Sequence, residues 1–197
     1  MDKVIVIGRD EIPRVARLAA GESLRLTLVA LPGTSGNFPL EVDIDGAGCE
    51  VDIAGVYLCS STEKLSVNVL VRHNSGGSIS RQNFRGIAGG ESRAAFDGLI
   101  YVAPGAQKTK AYQENHTILL SDTAKVESRP QLEIYADDVE CSHGCTSGFL
   151  NLEEQFYMRS RGIPEEEARH LQMIAFLSPI VSRLPEDVAD EVYDSIS

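Results

Sequence analysis

The sequence lacks any hydrophobic run long enough to cross a bilayer. Of its 197 residues 43% are hydrophobic, yet no apolar stretch approaches the roughly 18 residues that a membrane-spanning helix needs. The opening residues, MDKVIVIGRDEIPRV, hold only a short apolar run, and they lack the apolar core and small-residue cleavage site of a secretory signal. We therefore expect a cytoplasmic protein that has no membrane partner.

Positive charge is also scarce. Lysine and arginine number 18 against 29 aspartates and glutamates, which gives a net charge of −11. A surface of that sign repels a phosphate backbone, so nucleic acid is not an expected partner.

Cysteine and histidine are few, with four of each in the chain. In a reducing compartment the cysteines should be thiols or metal ligands, not structural disulfides. Three of these side chains fall within the segment DDVECSHGCT, as Cys141, His143 and Cys145. They could be metal ligands, a nucleophile with its base, a redox pair or ordinary core residues. Cys49 and Cys59 are expected in the core.

Residues 1–150 are predicted to form strands, because short segments rich in β-branched residues alternate apolar and polar side chains. The centres of three later strands, Ile100, Ile118 and Ile134, lie 18 and 16 residues apart. A strand–helix–strand unit needs about 30 residues, so a helix-covered parallel sheet is excluded. Antiparallel hairpins in a sandwich, and a β-solenoid, both remain open.

Two features of this region favour opposite choices. Tight hairpin turns favour glycine, yet no glycine occurs between Gly105 and Gly144, which favours the broader corners of a solenoid. The segment FDGLIYV (Phe96–Val102) instead fits a hairpin. His73 is assigned to a polar loop and His116 to the approach to a strand.

Residues 151–197 are predicted to form a helical segment. Asn151 suits the N-cap of the first helix, with Glu154 as its capping-box partner. Pro164 suits the start of a second helix, which Pro179 should end or kink. A third helix is expected to begin near Pro185.

Strand geometry argues against a complete metal site in DDVECSHGCT. If the segment is extended, Cys141, His143 and Cys145 point to one face, with neighbours about 6.6 Å apart. Two ligands of one zinc ion can lie at most roughly 4.5 Å apart. Gly144 could supply a bend, but a fourth ligand would still have to come from elsewhere or from a second chain. The spacing also differs from paired zinc-ligand motifs.

Several segments of four to thirteen residues resemble motifs of a known protein family. The segments AQKTKAYQEN, LLSD, LEIYADDVECSHG and FYMRSRGI resemble the C-terminal part of the SufB/SufD family, the scaffold subunits of the SUF iron–sulfur cluster assembly system. They fit SufD-type members better than SufB-type members. The resemblance implies a right-handed parallel β-helix followed by a short C-terminal α-helical segment. It thus favours the solenoid over the sandwich.

The resemblance also implies a function. It predicts a non-enzymatic subunit that pairs through its β-helix with a SufB-like subunit or a second copy, and that handles a transient iron–sulfur cluster. His143 and Cys141 match the residues expected to handle iron or sulfur, and they are the candidate metal ligands. The helical segment should dock a SufC-type ATPase, through residues Phe156, Tyr157, Arg159, Arg161, Gly162 and Ile163.

The chain departs from the family pattern in three respects. Typical members are longer and begin with a further helical region. Cys145 stands where SufD members usually have alanine, and we expect it to be a packing residue or an extra thiol. Gly144 stands where SufB members have a glutamate. Two alternatives follow: a structural oligomer of the same fold without cluster chemistry, or a metal- or thiol-dependent enzyme that uses Cys141, His143 and Cys145.

Overall fold

The structure, a computed structural model, describes residues 2–197 as eleven strands followed by three helices. The strands are β1 (Asp2–Val6), β2 (Val15–Leu18), β3 (Ser23–Ala30), β4 (Gly36–Ile44), β5 (Glu50–Cys59), β6 (Lys64–His73), β7 (Ile79–Ala88), β8 (Arg93–Val102), β9 (Lys110–Leu119), β10 (Lys125–Ile134) and β11 (Glu140–Phe149). The helices are α1 (Leu152–Ser160), α2 (Glu165–Val181) and α3 (Glu186–Asp194). None of these helices is long and apolar enough to span a membrane.

The strands alternate between two parallel sheets. The odd-numbered strands form the first sheet, in the order β1-β3-β5-β7-β9-β11, and the even-numbered strands form the second, in the order β2-β4-β6-β8-β10. Each strand pairs with the strand two positions along the chain, as where Lys110 lies opposite Glu140. Two strands in each of about five coils make a β-solenoid, which confirms the predicted parallel β-helix.

The sandwich alternative and its hairpin are wrong. Phe96–Val102 lies inside the single strand β8, which pairs in parallel with both β6 and β10. Gly98 does not mark a turn. A β-carbon at that position would lie 2.2 Å from Nε2 of Gln113, so glycine is needed for a side chain that crosses the solenoid. A glycine in a sequence can mark either a turn or a strand position that a neighbouring group approaches closely.

The interior of the solenoid changes character along its axis. Aliphatic side chains such as Leu26, Ile53 and Val69 stack inside the first coils, each no more than 2% exposed. The later strands of the first sheet instead bury Gln113 and Asn115, each 1% exposed. The inside is therefore apolar at the N-terminal end and polar towards the last coil.

The outer face of the first sheet is covered by helix α2. Met173, Leu177 and Ile180 of the helix share a buried apolar cluster with Val56 and Leu58 of β5. Helix α3 joins the same cluster through Val192. The helical segment thus runs back along the solenoid, and its apolar stripe is buried against β-branched and aliphatic residues.

One detail of the helices differs from the prediction. The Asn151 Oδ1 atom accepts hydrogen bonds from the backbone N–H groups of Glu153 and Glu154, so it caps α1 as expected. The reciprocal capping-box bond is replaced, because the Glu154 carboxylate accepts a hydrogen bond from Gln172 instead. Helix α2 continues past Pro179 and ends at Val181. Its buried apolar contacts on both sides of the proline hold the last turn in place.

His73 was assigned to a polar loop, and that assignment is wrong. It is the last residue of β6 and is fully buried, with Nε2 lying 2.8 Å from the Ser80 hydroxyl. The polar residues that follow form a corner between two strands of consecutive coils. His116 lies within β9, beyond the start expected for that strand. Cys49 and Cys59 are buried core residues, each 2% exposed.

Candidate functional site

The last coil has two long strand edges that pair with no other strand within residues 2–197. Strand β11 is the final strand of the first sheet and β10 is the final strand of the second, and each contains ten residues. Each pairs on one side only, with β9 and β8 respectively. A row of free backbone N–H and C=O groups on such an edge is a template for pairing with another chain.

The opposite end of the solenoid is protected. Its edge strands, β1 and β2, contain five and four residues. The Asp10 carboxylate accepts a hydrogen bond from the backbone N–H of Val6, at 2.8 Å, and Ile12 packs against the core. Short edges and a loop folded over them reduce pairing with other chains. The C-terminal end is therefore the better candidate for a partner surface.

Strand β11 carries Cys141, His143 and Cys145 on the side that continues the interior of the solenoid. These residues lie in register with Ala111, Gln113 and Asn115 of β9, which are all buried inside. In-register residues of parallel strands point to the same face. The three side chains therefore line the open mouth of the solenoid, where a further coil would otherwise cover them.

The three reactive side chains differ in exposure. His143 and Cys145 are exposed, and Cys141 is half-buried beside Ala111. Burial raises the pKa of the Cys141 thiol above its usual value, so this thiol stays protonated at neutral pH unless a metal displaces the proton. Within residues 2–197 no group of three or more His, Cys, Asp or Glu side chains could hold a metal ion. The mouth thus presents separated ligands and not a closed site.

Polar side chains lie directly beneath this mouth. The Gln113 amide donates a hydrogen bond to Oε1 of Gln82 on the preceding coil, at 2.8 Å. The Asn115 amide donates to the Ser128 hydroxyl across the interior, at 3.1 Å, and its Oδ1 accepts from the Tyr57 hydroxyl. Side chains fixed in this way provide a rigid polar floor for groups on β11.

Helix α1 stands beside the mouth and exposes a large apolar surface. Leu152 is 76% exposed and Phe156, one turn later, is 74% exposed. Phe149, at the end of β11, and Tyr157 are each 60% exposed. Among the residues of α1 only Gln155 is buried. Solvent-facing apolar residues clustered in this way are typical of a protein-binding surface.

The remaining residues predicted for docking follow Phe156 and Tyr157 closely. Arg161 lies over the Tyr157 ring, 5.4 Å from its centroid, and Arg159 forms an exposed ion pair with Glu165. Gly162 has a φ of +91°, and Ile163 donates a backbone hydrogen bond to Met158. This hydrogen bond and the positive φ of Gly162 belong to a Schellman motif, in which the glycine lets the chain reverse direction at the end of α1. The structure thus places the predicted docking residues in the second half of α1 and in the turn that follows it.

A groove that the sequence did not reveal lies between α1, α2 and the end of the first sheet. Its volume is about 990 Å³. Apolar walls come from residues far apart in the chain, among them Ile118, Phe149, Tyr157, Leu171 and Phe176. Its charged lining residues are acidic, Glu153 and Glu154. No local pattern could predict it, because the return of α2 along the sheet creates it.

The fold places this chain among parallel β-solenoid proteins that end in a helical segment. The family model described as SUF system FeS cluster assembly, SufBD core domain, matches residues 14–176. The chain therefore belongs to the SufBD core domain family, which supports a general role in SUF-type iron–sulfur cluster assembly.

Individual relatives agree with this assignment. The chain is 37% identical over 144 residues to the iron–sulfur cluster assembly protein SufD of Escherichia coli. The matched region covers 73% of this chain and 34% of the relative. It is 30% identical over 184 residues to the chloroplastic protein ABCI7 of Arabidopsis thaliana, covering 91% and 38%. It is 36% identical over 100 residues to SufD of Bacillus subtilis, covering 51% and 23%. The chain thus spans less than half the length of these curated relatives.

Proposed function

We propose that this chain is a non-enzymatic scaffold subunit that handles iron or sulfur during cluster assembly, with the cluster as transient cargo. The observation that supports this most is the alignment of Cys141 and His143 on the inner face of an open last coil. A thiol and an imidazole are the ligands that iron–sulfur chemistry uses. Because residues 2–197 of one chain do not close a metal site, this arrangement supplies half of one.

Pairing through the last coil would complete the site. The proposed partner is a SufB-like subunit or, where that is absent, a second copy of this chain. The ten-residue edges of β10 and β11 can continue both sheets across an interface, which also buries Phe149 and Tyr135 more deeply. Residues brought by the partner would then face Cys141 and His143.

Helix α1 is proposed to dock a SufC-type ATPase. Its exposed side chains Leu152, Phe156 and Tyr157 provide apolar anchors, and Arg159 and Arg161 lie at its end. Large apolar anchors with charged groups around them are the usual composition of a binding hot spot. In this proposal residues 1–150 form the pairing unit and residues 151–197 form the docking unit.

Anaerobic reconstitution with ferrous iron and sulfide tests the cluster role. We expect the purified full chain to develop charge-transfer absorbance, and the double variant Cys141→Ser/His143→Ala to lose most of it. His116→Ala is the matched control, because His116 lies on β9 facing the outer side, where its ring bonds to Thr146. If the double variant equals the wild type, the chain is a structural oligomer of the same fold and the cluster proposal fails.

A further inference from the structure

A buried amide at the floor of the mouth has an unused hydrogen-bond acceptor. Gln113 is 1% exposed, and its Oε1 atom has no hydrogen-bond partner within residues 2–197. An unmade hydrogen bond in a buried amide costs about 1–3 kcal/mol. Such a group is therefore expected to have a partner in the working state of the protein.

The Gln113 side chain has little freedom to turn elsewhere. Its Nε2 atom already donates to Gln82 on the preceding coil. Across the interior the amide lies against Gly98, where an added β-carbon would come within 2.7 Å of Oε1 and 2.2 Å of Nε2. In this orientation of the two amides the Gln113 nitrogen is committed to the preceding coil, and its oxygen is left for a donor on the following coil.

The donor that the following coil offers at this position is His143. It is the register partner of Gln113 on β11, and neighbouring strands lie about 4.8 Å apart. Its flanking residues on the same face, Cys141 and Cys145, offer only weak S–H donors and lie opposite Ala111 and Asn115. His143 makes no hydrogen bond to Gln113 in the structure, so the bond requires rotation about the His143 side-chain bonds.

We propose that Gln113 is a positioning residue for His143, whose ring N–H donates to Gln113 Oε1. This bond fixes the tautomer of the neutral imidazole, because the nitrogen that donates must carry the proton. The other ring nitrogen is then unprotonated and directed to the open side of the mouth. A ligating histidine is commonly held in this way by an acceptor behind it. The role of His143 as a ligand rests on the proposed function, whereas the bond itself does not.

Nitrogen NMR of the full chain with ¹⁵N-labelled histidine rings tests the bond without any iron. The His143 signals are assigned by their loss in His143→Gln, and spectra are taken about two pH units above the ordinary histidine pKa. We expect one dominant tautomer for His143 in the wild type and a mixture of two in Gln113→Met. Thr117→Val removes a buried polar group from the same strand, four residues away, and should keep the single tautomer.

Two results would overturn the inference. One is a tautomer mixture in the wild type, which decides the question even if Gln113→Met does not fold. The other is a single tautomer that survives in a folded Gln113→Met variant.

Anaerobic calorimetry with ferrous iron alone separates the inference from the proposed function. If both hold, the wild type binds the ion and Gln113→Met weakens binding about tenfold or more. A fixed tautomer without iron binding supports the positioning bond and contradicts the cluster role. Iron binding with a mixed tautomer supports the cluster role and contradicts the positioning bond.

Discussion

Arg85 of strand β7 holds Phe176 of helix α2 by two contacts. Its Nη1 atom donates to the Phe176 carbonyl at 3.0 Å, and its guanidinium lies 5.1 Å from the centroid of the Phe176 ring. Burial lowers the pKa of Arg85 from its usual value, and the nearby Glu114 carboxylate offsets part of this effect. The contact attaches the helical segment to the outer face of the solenoid. Phe176 also lines the groove beside α1.

Replacing Arg85 should loosen this attachment. We expect Arg85→Ala to lower the free energy of unfolding by about 1–2 kcal/mol, since it removes a hydrogen bond and a cation–π contact. Arg81→Ala is the matched control, because Arg81 lies on the same strand in an exposed ion pair with Glu50 and should change stability little. Urea unfolding followed by circular dichroism measures both. Equal effects of the two substitutions would contradict the special role of Arg85.

The exposed residues of α1 allow the docking proposal to be tested without harming the fold. Deleting residues 151–197 would expose the apolar face of the first sheet, so a loss of binding would be ambiguous. Leu152→Ala/Phe156→Ala changes two side chains that are about three-quarters exposed. We expect at least a tenfold loss of affinity for a SufC-type ATPase, with no fall in melting temperature.

Val15→Ala provides the control for that measurement. Val15 is an exposed apolar residue, 42% exposed, at the opposite end of the solenoid. The Val15→Ala variant should bind the ATPase with unchanged affinity in surface plasmon resonance. If the double variant at Leu152 and Phe156 also binds normally, α1 is not the docking surface.

The open edges predict how pairing can be broken. Ser147 lies on the inner-facing side of β11, in register with the buried Thr117. Lysine at an inward-facing edge position opposes strand addition, because the charge would be buried in the interface. We expect the wild type to show the mass of a pair in light scattering, and Ser147→Lys to show the mass of a single chain.

Thr62→Lys adds the same charge elsewhere and serves as the control for pairing. Thr62 lies at an exposed corner between β5 and β6, away from both edges. Its variant should retain the wild-type mass. A pair that survives Ser147→Lys would place the interface on another surface.

The sequence predicted local features well and long-range ones poorly. Alternating residues defined the strands, and Asn151 and Pro185 marked helix starts, because each of these depends on neighbours within one turn or strand. The choice between sandwich and solenoid depends on pairing between residues about 30 positions apart, as for Lys110 and Glu140, which no local pattern encodes. The family motifs were needed to favour the solenoid.

In the candidate site, too, the sequence predicted the local features but not the contacts between distant residues. The spacing of two residues predicted that Cys141, His143 and Cys145 share one face if the segment is extended, and strand β11 places them on one side. The buried amide beneath His143 could not be predicted, because Gln113 reads as an ordinary polar residue of an alternating strand. Only the register between coils shows that it lies on the same face as His143.

The buried histidine of the solenoid predicts an acid-sensitive fold. Burial lowers the pKa of His73 from 6.5 to about 4. Between these values the unfolded chain binds a proton at this residue and the folded chain does not, so protonation favours unfolding. The contribution of the neutral, buried His73 to the free energy of unfolding is therefore fully present above pH 6.5. It is lost as the pH falls towards 4. The total loss is about 3 kcal/mol, at 1.36 kcal/mol for each pH unit.

Urea unfolding of the wild type and of His73→Gln, measured across this pH range, isolates the effect. Carboxylates titrate in both proteins and cancel in the difference between the two curves. We expect His73→Gln to be less stable than the wild type at pH 8, because it disturbs the contact with Ser80. The difference should shrink as the pH falls below 6.5. In that range only the wild type must release a proton from an imidazole when it folds, which lowers its free energy of unfolding. A difference that stays constant from pH 8 to pH 4 would show that His73 takes up its proton equally in both states.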